Sequence, residues 1–370
     1  MKRWKNFDWW LLVIPLIIVG FSCMMLYQLG KWQAIPASEP YKQATYLAIG
    51  LALFWFLTNL DYKLLRPFIW PAYVVGLLAL AAVAVIGHTS YGATRWVNLG
   101  FIQLQPSEPM KLIVVLTLAK FLADRENRMN ELGTVLGCVA IGGLPALVVM
   151  KEPDFGTAMV MAAVAAALLI MAATPVRYLV GLAAATCVAA PIAWFKVFKS
   201  YQTDRLLAFL HPNWYHQGWN YDPFHAQLAI GSGGPWGEWF SRLTQSRLNF
   251  LTAPDEDFIF SVTAEQIGFF GVLVLFVLFG ALLSRIARVS YISSDTFGRL
   301  IAGGIFVVFL FQIFVNVGVN LGIMPITGIP LPLLSYGGSS LITSIAALGI
   351  LESILLRHQK LVFDTGQSIL

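Results

Sequence analysis

Ten apolar runs, each close to the length of a membrane crossing, constrain this chain more than any other feature. They fall near 9–29, 42–60, 68–87, 108–123, 132–150, 157–173, 178–197, 258–283, 299–322 and 339–356. A helix needs about 20 mostly apolar residues to cross the hydrocarbon core. Each run therefore reads as a transmembrane helix, and the chain as an all-α polytopic membrane protein. Composition agrees: 58% of residues are hydrophobic and 12% charged, where a soluble domain carries roughly 25% charged residues. Soluble, disordered, fibrous and disulfide-framework classes are excluded on that ground. The first run is too long for a signal-peptide core and is followed by others, so it reads as a helix despite the Ala34-Ile-Pro-Ala37 stretch after it. No internal repeat or low-complexity tract interrupts the chain, which reads as a single integral membrane domain over 1–370.

The net charge of +5 does not point to nucleic acid, because the cations punctuate the apolar runs instead of forming a patch. Fourteen Lys and Arg residues, from Lys2, Arg3 and Lys5 through Arg66, Arg125 and Arg285 to Arg357 and Lys360, fall on one side of the expected membrane. Four, Lys31, Lys42, Arg95 and Lys151, fall in short loops on the other. By the positive-inside rule both termini are cytoplasmic. The long 198–257 loop then faces outward, with the loops at 30–41, 88–107, 151–156 and 323–338. Cys23, Cys138 and Cys187 lie unpaired inside apolar runs and read as small packing residues, without a disulfide or zinc pattern.

Ionisable groups inside spans are costly and mark functional-site hypotheses. Glu108 and Lys111, in Gln105-Pro-Ser-Glu-Pro-Met-Lys111, open the fourth span with Ser107 placed to cap it. They read equally as a capped helix start with a local ion pair or as a charged floor beneath an outward cavity. In Lys151-Glu-Pro-Asp-Phe-Gly156, Asp154 caps the following helix, and a turn is the simpler reading. Segment 323–340 is apolar but carries prolines 325, 330 and 332 and three glycines, so it is irregular backbone lining a cavity or buried in protein. Before it, Gln312, Asn316 and Asn320 form an i, i+4, i+8 stripe suited first to interhelical hydrogen bonds.

The outward 198–257 loop holds Trp214, Trp219, Trp236 and Trp239, which favour the headgroup level, so it reads as interfacial helical segments lying on membrane lipid. Its Gly231-Ser-Gly-Gly-Pro235 run is a weak phosphate-loop signal. His211, His216 and His225 match no metal spacing. At its end stands Asp255-Glu-Asp257 before an apolar run. Asp257 is the last acid before the hydrocarbon, where partial desolvation suits a general base, although a solvated acidic helix cap is the plainer reading. Glu265, about 12 Å further along a helix, requires a buried structural partner. These residues by themselves indicate a lipid-handling enzyme or a transporter with an outward polar cavity.

In order along the chain, the segments Gly92-Ala-Thr-Arg-Trp-Val-Asn-Leu-Gly100, Gln105-Pro-Ser-Glu108 with Lys111, Glu152-Pro-Asp-Phe-Gly-Thr157, Tyr201-Gln-Thr-Asp-Arg205, Gln227-Leu-Ala-Ile-Gly-Ser-Gly-Gly234, Thr244-Gln-Ser246, Asp257-Phe-Ile-Phe260 with Glu265, and Gly328-Ile-Pro-Leu-Pro-Leu-Leu-Ser-Tyr-Gly-Gly-Ser339 resemble the SEDS family of cell-wall proteins, within it the RodA branch. The resemblance implies a peptidoglycan glycosyltransferase of cell elongation, in the bacterial cytoplasmic membrane, that polymerises lipid II at the outer face. It implies a class B penicillin-binding protein as partner, a polyprenyl-linked glycan as donor, and no nucleic acid. Asp257 would be the catalytic base. Glu108, Lys111, Asp154, Arg205 and Ser335 would surround the substrate, with Glu265 and Asn316 in supporting roles. Arg242 and Arg247 are further cations for the diphosphate. No resident cofactor or metal ligand set is evident, and a divalent cation at the leaving group stays open. The chain departs from the family just before the acid: Leu251-Thr-Ala-Pro-Asp-Glu256 replaces the usual Leu-Pro-Glu stretch with its His and Thr. A lipid-linked precursor flippase is the competing reading, since ten spans with broken helices also suit a transporter.

Overall fold

Every apolar run forms a helix in the computed structural model of the chain, which describes residues 6–32, 34–86, 88–90, 93–98, 103–152, 154–196, 198, 200–211, 218, 220–238, 246 and 250–357. Ten α-helices correspond to the runs: α1 Trp10–Lys31, α2 Glu39–Asn59, α3 Ile69–Ile86, α4 Ser107–Ala123, α5 Leu132–Lys151, α6 Phe155–Met171, α7 Val176–Lys196, α10 Ile259–Ile292, α11 Thr296–Asn320 and α12 Gly338–Leu356. Two more, α8 Ser200–Leu210 and α9 Tyr221–Ser232, lie in the long segment between α7 and α10, and α8 is amphipathic. Among the described residues, six stretches are long and apolar enough to cross a membrane: Trp10–Lys31, Tyr62–Val83, Leu132–Lys151, Ile259–Ile292, Thr296–Asn320 and Gly338–Leu356. Large apolar side chains such as Phe56, Leu78, Leu147, Val277 and Phe314 face outward on these and neighbouring helices. A surface of that kind suits lipid and not water. The chain is a multi-pass membrane protein.

The core is built where α2 packs on α12, α10 on α11, and α5 and α11 on α6. Polar contacts concentrate at the two ends of this bundle. At one end Glu352 accepts from the Asp8 amide at 2.9 Å, Arg285 pairs with Asp8 at 3.4 Å, Arg357 with Asp61 at 3.4 Å, and Arg66 with Asp124 at 2.6 Å. These are the residues that the charge distribution assigns to one side. The exposed Arg66–Asp124 pair is worth little, since solvent screens it. Their common location, not their energy, is what matters here.

Three local features differ from the sequence reading. Among the described residues of the 88–107 loop, strands β1 His88–Ser90, β2 Ala93–Asn98 and β3 Gln103–Leu104 form an antiparallel sheet in the order β1-β2-β3, with Ser90 opposite Ala93 and Val97 opposite Leu104. Alternating β-branched and aromatic residues, Thr94, Trp96 and Val97 among them, favour extended backbone there. The span expected at 258–283 is not one continuous helix. Gly268 interrupts α10 with φ of 66°, a left-handed conformation that glycine adopts without penalty. The break lets segment 234–238 dock: Phe269 and Phe270 donate to the carbonyls of Gly234 and Pro235 at 2.9 and 3.1 Å, and Glu238 to that of Glu265 at 3.1 Å. The Gly231–Pro235 run, read as a weak phosphate loop, is therefore occupied by α10: a Cβ on Gly233 would sit 2.2 Å from the Ala264 carbonyl oxygen. Finally, Ser107 does not cap α4. It is the first helical residue, its hydroxyl is buried without a hydrogen-bond partner, and Pro106 occupies the cap position.

Candidate active site

At the other end of the bundle, the irregular chain between α11 and α12 is the hub. Three prolines prevent it from becoming helix, so its backbone groups are available to its neighbours. Asn316 donates to the Ile329 carbonyl at 2.8 Å, and Gln43 of α2 donates to that of Ser335 at 3.1 Å. Gly156, at the start of α6, lies so close that a Cβ there would meet the Thr327 carbonyl oxygen at 2.6 Å. Ser339 accepts from the Gln105 amide at 2.9 Å, joining the start of α12 to the approach to α4.

The acidic turn 254–257 is held by this hub through three successive carbonyls. That of Asp255 accepts from the Tyr336 amide at 2.8 Å, that of Glu256 from the Ser335 hydroxyl at 2.5 Å, and that of Asp257 from both Asn316 and Asn320 at 3.0 Å. Asn320 also accepts from the Ser261 amide and hydroxyl, at 3.2 and 2.6 Å, which fixes the first turn of α10 behind the acid. Buried carbonyls and amides are costly when unpaired, so this network holds the backbone rigidly. Asp257 itself is half-buried. Of the stripe read as interhelical hydrogen bonding, Asn320 bonds α10 through Ser261, Asn316 and Asn320 hold the backbone of the expected base, and the Gln312 amide nitrogen is buried without a partner.

Lys111 and Glu108 pair at 2.8 Å with side chains only 3% exposed. They line a small cavity of about 20 Å³ between α4, α11 and α12, with Gln312, Thr343 and Ser344. That volume accommodates roughly one water. Gln312 is one helical turn, about 6 Å, from Asn316, so the ion pair lies beneath the Asp257 turn on the same stripe. Asp154 caps α6 as expected, accepting from the Thr157 amide at 3.1 Å, and also accepts from Gln105 at 3.2 Å. Ser335 is turned inward: it accepts from the Leu331 amide at 2.8 Å while donating to Glu256. Glu265 is fully buried and accepts from the amide and hydroxyl of Ser246. Arg205 lies on α8.

Arg242, Arg247, Trp214, Trp219, Trp239 and His216 lie outside the described residues, as do Pro153 and parts of the 92–100 and 244–246 motifs. His225 stacks on Phe250, with ring centroids 4.9 Å apart. Among the described residues, no three His, Cys, Asp or Glu side chains are grouped to hold a metal ion. Sequence reasoning missed Gln43, Gln105 and Ser339, which connect elements, and Glu39, which lies near Asp255. Burial, with Asp255 beside it, pushes the Glu39 carboxyl up to about 8, against the opposing charge of Lys42. Burial likewise raises Asp255.

Comparison with known proteins identifies the family and the fold. The FtsW/RodA/SpoVE cell cycle protein family matches residues 5–360. The peptidoglycan glycosyltransferase MrdB of Escherichia coli K12 is 34% identical over 345 residues, 93% of this chain and 92% of its own. The MrdB of Helicobacter pylori 26695 is 33% identical over 361 residues, covering 96% and 91%. A chain from a structure of a peptidoglycan synthase complex, described as coordinating polymerization and crosslinking, superposes with a TM-score of 0.81 at 32% identity, covering 94% of this chain and 97% of that one. The crystal structure of the rod shape-determining protein RodA of Thermus thermophilus gives 0.70 at 30% identity, covering 96% and 99%.

Proposed function

This chain belongs to the SEDS family, the FtsW/RodA/SpoVE cell cycle proteins, and from that premise we propose that it is the peptidoglycan glycosyltransferase of cell elongation in its organism. It polymerises lipid II at the outer face of the cytoplasmic membrane. Ten helices span the bilayer as a single integral domain with both termini inside. The clamped acidic turn is then at the outer surface with the 323–338 segment.

The observation that carries the reading is the clamp itself: three successive carbonyls of the Asp255–Asp257 turn are held by donors from α11 and the segment after it. A preorganised acid is what a glycosyl transfer needs. The Asp257 carboxylate takes the proton of the acceptor sugar's 4-hydroxyl, and that oxygen forms a bond to the anomeric carbon of the donor chain with inversion. The anomeric carbon–oxygen bond to the polyprenyl diphosphate breaks, and the diphosphate leaves with the electron pair. Lys111, with Arg205 approaching from α8, supplies cationic donors for that charge. Glu108 holds the Lys111 ammonium in a buried place through their 2.8 Å ion pair. Asp154 and Ser335 form walls of the same region, and Glu265 and Asn316 support it. A class B penicillin-binding protein is the partner, supported by the likeness to a chain of a peptidoglycan synthase complex.

The test supplies the purified protein, with such a partner, with labelled lipid II, in arms with and without added magnesium, because a diphosphate recruits divalent cations. Glycan polymer is expected from the native chain and none from Asp257→Ala. Transfer of lipid II across liposomes without polymer would replace the enzyme with a flippase. Normal polymerisation by Asp257→Ala would remove the base assignment while leaving the family intact.

A further inference from the structure

Where α10 ends and α11 begins, the bundle carries a cation with no anionic partner among the described residues. Arg285 and Arg288 both reach Asp8, at 3.4 and 4.0 Å, whereas Arg299 has no carboxylate oxygen within 4.0 Å. The acids flanking this turn are engaged elsewhere: Asp295 accepts from the Tyr62 hydroxyl, and Glu126 from the Thr296 hydroxyl at 2.9 Å. Arg299 stands on an open groove of about 460 Å³ between the two helices, lined also by Ala287, Ser290, Tyr291 and Phe306. Sites for small molecules run roughly 300–1,000 Å³, so a phospholipid headgroup and the start of its acyl chain fit here.

The lining is graded from polar to apolar along the helices. Ala287 and Tyr291 are four residues apart on one face of α10, and Arg299 and Phe306 seven apart on one face of α11. At 1.5 Å per residue, Ala287 lies about 6 Å deeper than Tyr291, and Phe306 about 10 Å deeper than Arg299. Tyr291 is 90% exposed. Tyrosine and arginine are the side chains that hold a polar tip at headgroup level while the rest lies against acyl chains. Ser290 donates to the Arg299 carbonyl at 3.0 Å, which ties the two helices together at the groove. Its oxygen can still accept.

This chemistry discriminates between headgroups. With no carboxylate in the lining, a zwitterionic headgroup finds a partner for its phosphate and none for its ammonium. An anionic glycerol headgroup brings a phosphate for the guanidinium and hydroxyls for the Ser290 oxygen. We propose that the groove is a binding site for one anionic phospholipid, with its phosphate on Arg299 and the Tyr291 hydroxyl and its acyl chain along Ala287 and Phe306. By the topology proposed above, that lipid belongs to the inner leaflet. The site lies at the opposite end of α11 from Asn316 and Asn320, and it stands whether or not the transferase reading does.

The experiment counts phospholipids on the purified protein by native mass spectrometry. Phosphatidylglycerol or phosphatidylcholine with the same acyl chains is titrated in detergent, and melting temperature is followed over the same titration. The native chain is expected to bind one phosphatidylglycerol about fivefold more tightly than phosphatidylcholine, and to melt higher as that site fills. Arg299→Gln is expected to weaken phosphatidylglycerol about fivefold, and Arg288→Gln, which removes an equal charge outside the groove, about twofold or less. Ala287→Trp keeps every charge but fills the exposed apolar wall. It is expected to melt like the native chain without lipid and to lose the saturable site.

Equal losses in Arg288→Gln and Arg299→Gln would reduce the effect to general charge attraction and overturn the site. Unchanged phosphatidylglycerol binding by Ala287→Trp, or equal affinity of the native chain for the two lipids, would do the same. Displacement of the lipid by excess inorganic phosphate, with the same rise in melting temperature from phosphate alone, would make the groove a phosphate site and not a lipid site.

Discussion

Asn316 and Asn320 share one acceptor, the carbonyl of Asp257, and that makes their joint removal the sharpest test of the clamp. Asn316→Ala removes bonds of 3.0 Å to Asp257 and 2.8 Å to Ile329. The Asp257 carbonyl keeps Asn320, but that of Ile329 loses its side-chain donor in a buried place. With about 0.5–1.5 kcal/mol for the bond to Asp257 and 1–3 for the orphaned Ile329 carbonyl, the loss in stability is about 1.5–4.5 kcal/mol. Asn320→Ala removes the other 3.0 Å bond to Asp257 and the acceptor for Ser261, at a similar cost. In activity the singles differ from the double by kind. Each single leaves one donor on the carbonyl, so the turn relaxes by a fraction of an ångström and kcat falls about threefold. The double leaves neither, and a displacement near 1 Å costs about 10²-fold or more. The loss in the double therefore exceeds the product of the singles, a coupling characteristic of residues that back each other up. Polymerisation of labelled lipid II at saturating substrate, run beside thermal melting on the same preparations, measures both quantities. A double variant whose kcat equals the product of the singles, with folded protein, would refute the shared clamp.

Two further outcomes follow from buried and strained positions. Lys111→Met leaves Glu108 buried without its cation and is expected to lower stability by about 3–5 kcal/mol, whereas Lys111→Met with Glu108→Gln regains most of it but no polymerisation; equal melting of single and double variants would contradict this. Gly268→Ala places a Cβ 2.1 Å from the Gly237 amide nitrogen at a φ of 66°, and is expected to cost about 2–5 kcal/mol by melting. Gly280→Ala, in the same helix with nothing within 4 Å, serves as its harmless control.

The elements were legible because hydropathy is a local property: each apolar run became a helix, and Asp154 caps α6 as its place before Thr157 implies. The stripe of Gln312, Asn316 and Asn320 was equally visible, since helical spacing alone puts the three on one face. Its target was not, because Asp257 lies far away in sequence and only tertiary packing brings it under Asn316. The same holds for Gln43 with Ser335. The break at Gly268 gave no signal either, since glycine is common in membrane helices and its φ depends on the 234–238 segment docking beside it. Ser107 misled for a simpler reason: the helix begins one residue early, at Ser107 itself, with Pro106 in the cap position and the hydroxyl buried.

The order in which the chain is made gives the clamp another meaning. Asp257 leaves the ribosome ahead of every group that will hold it, Asn316 by 59 residues, Asn320 by 63, and Ser335 by 79 after Glu256. At about 5–20 residues per second, several seconds separate the acid from its frame. During that interval α10 can enter the bilayer carrying a loose acid just ahead of its first turn. The frame arrives only with α11 and the segment that follows, and α12 must dock on α2 before that segment is seated. A half-made chain is therefore inert towards the lipid-linked sugars around it. Competence comes last, as a property of the finished carboxyl-terminal third, and a protein cut short there would occupy the membrane without extending a single glycan.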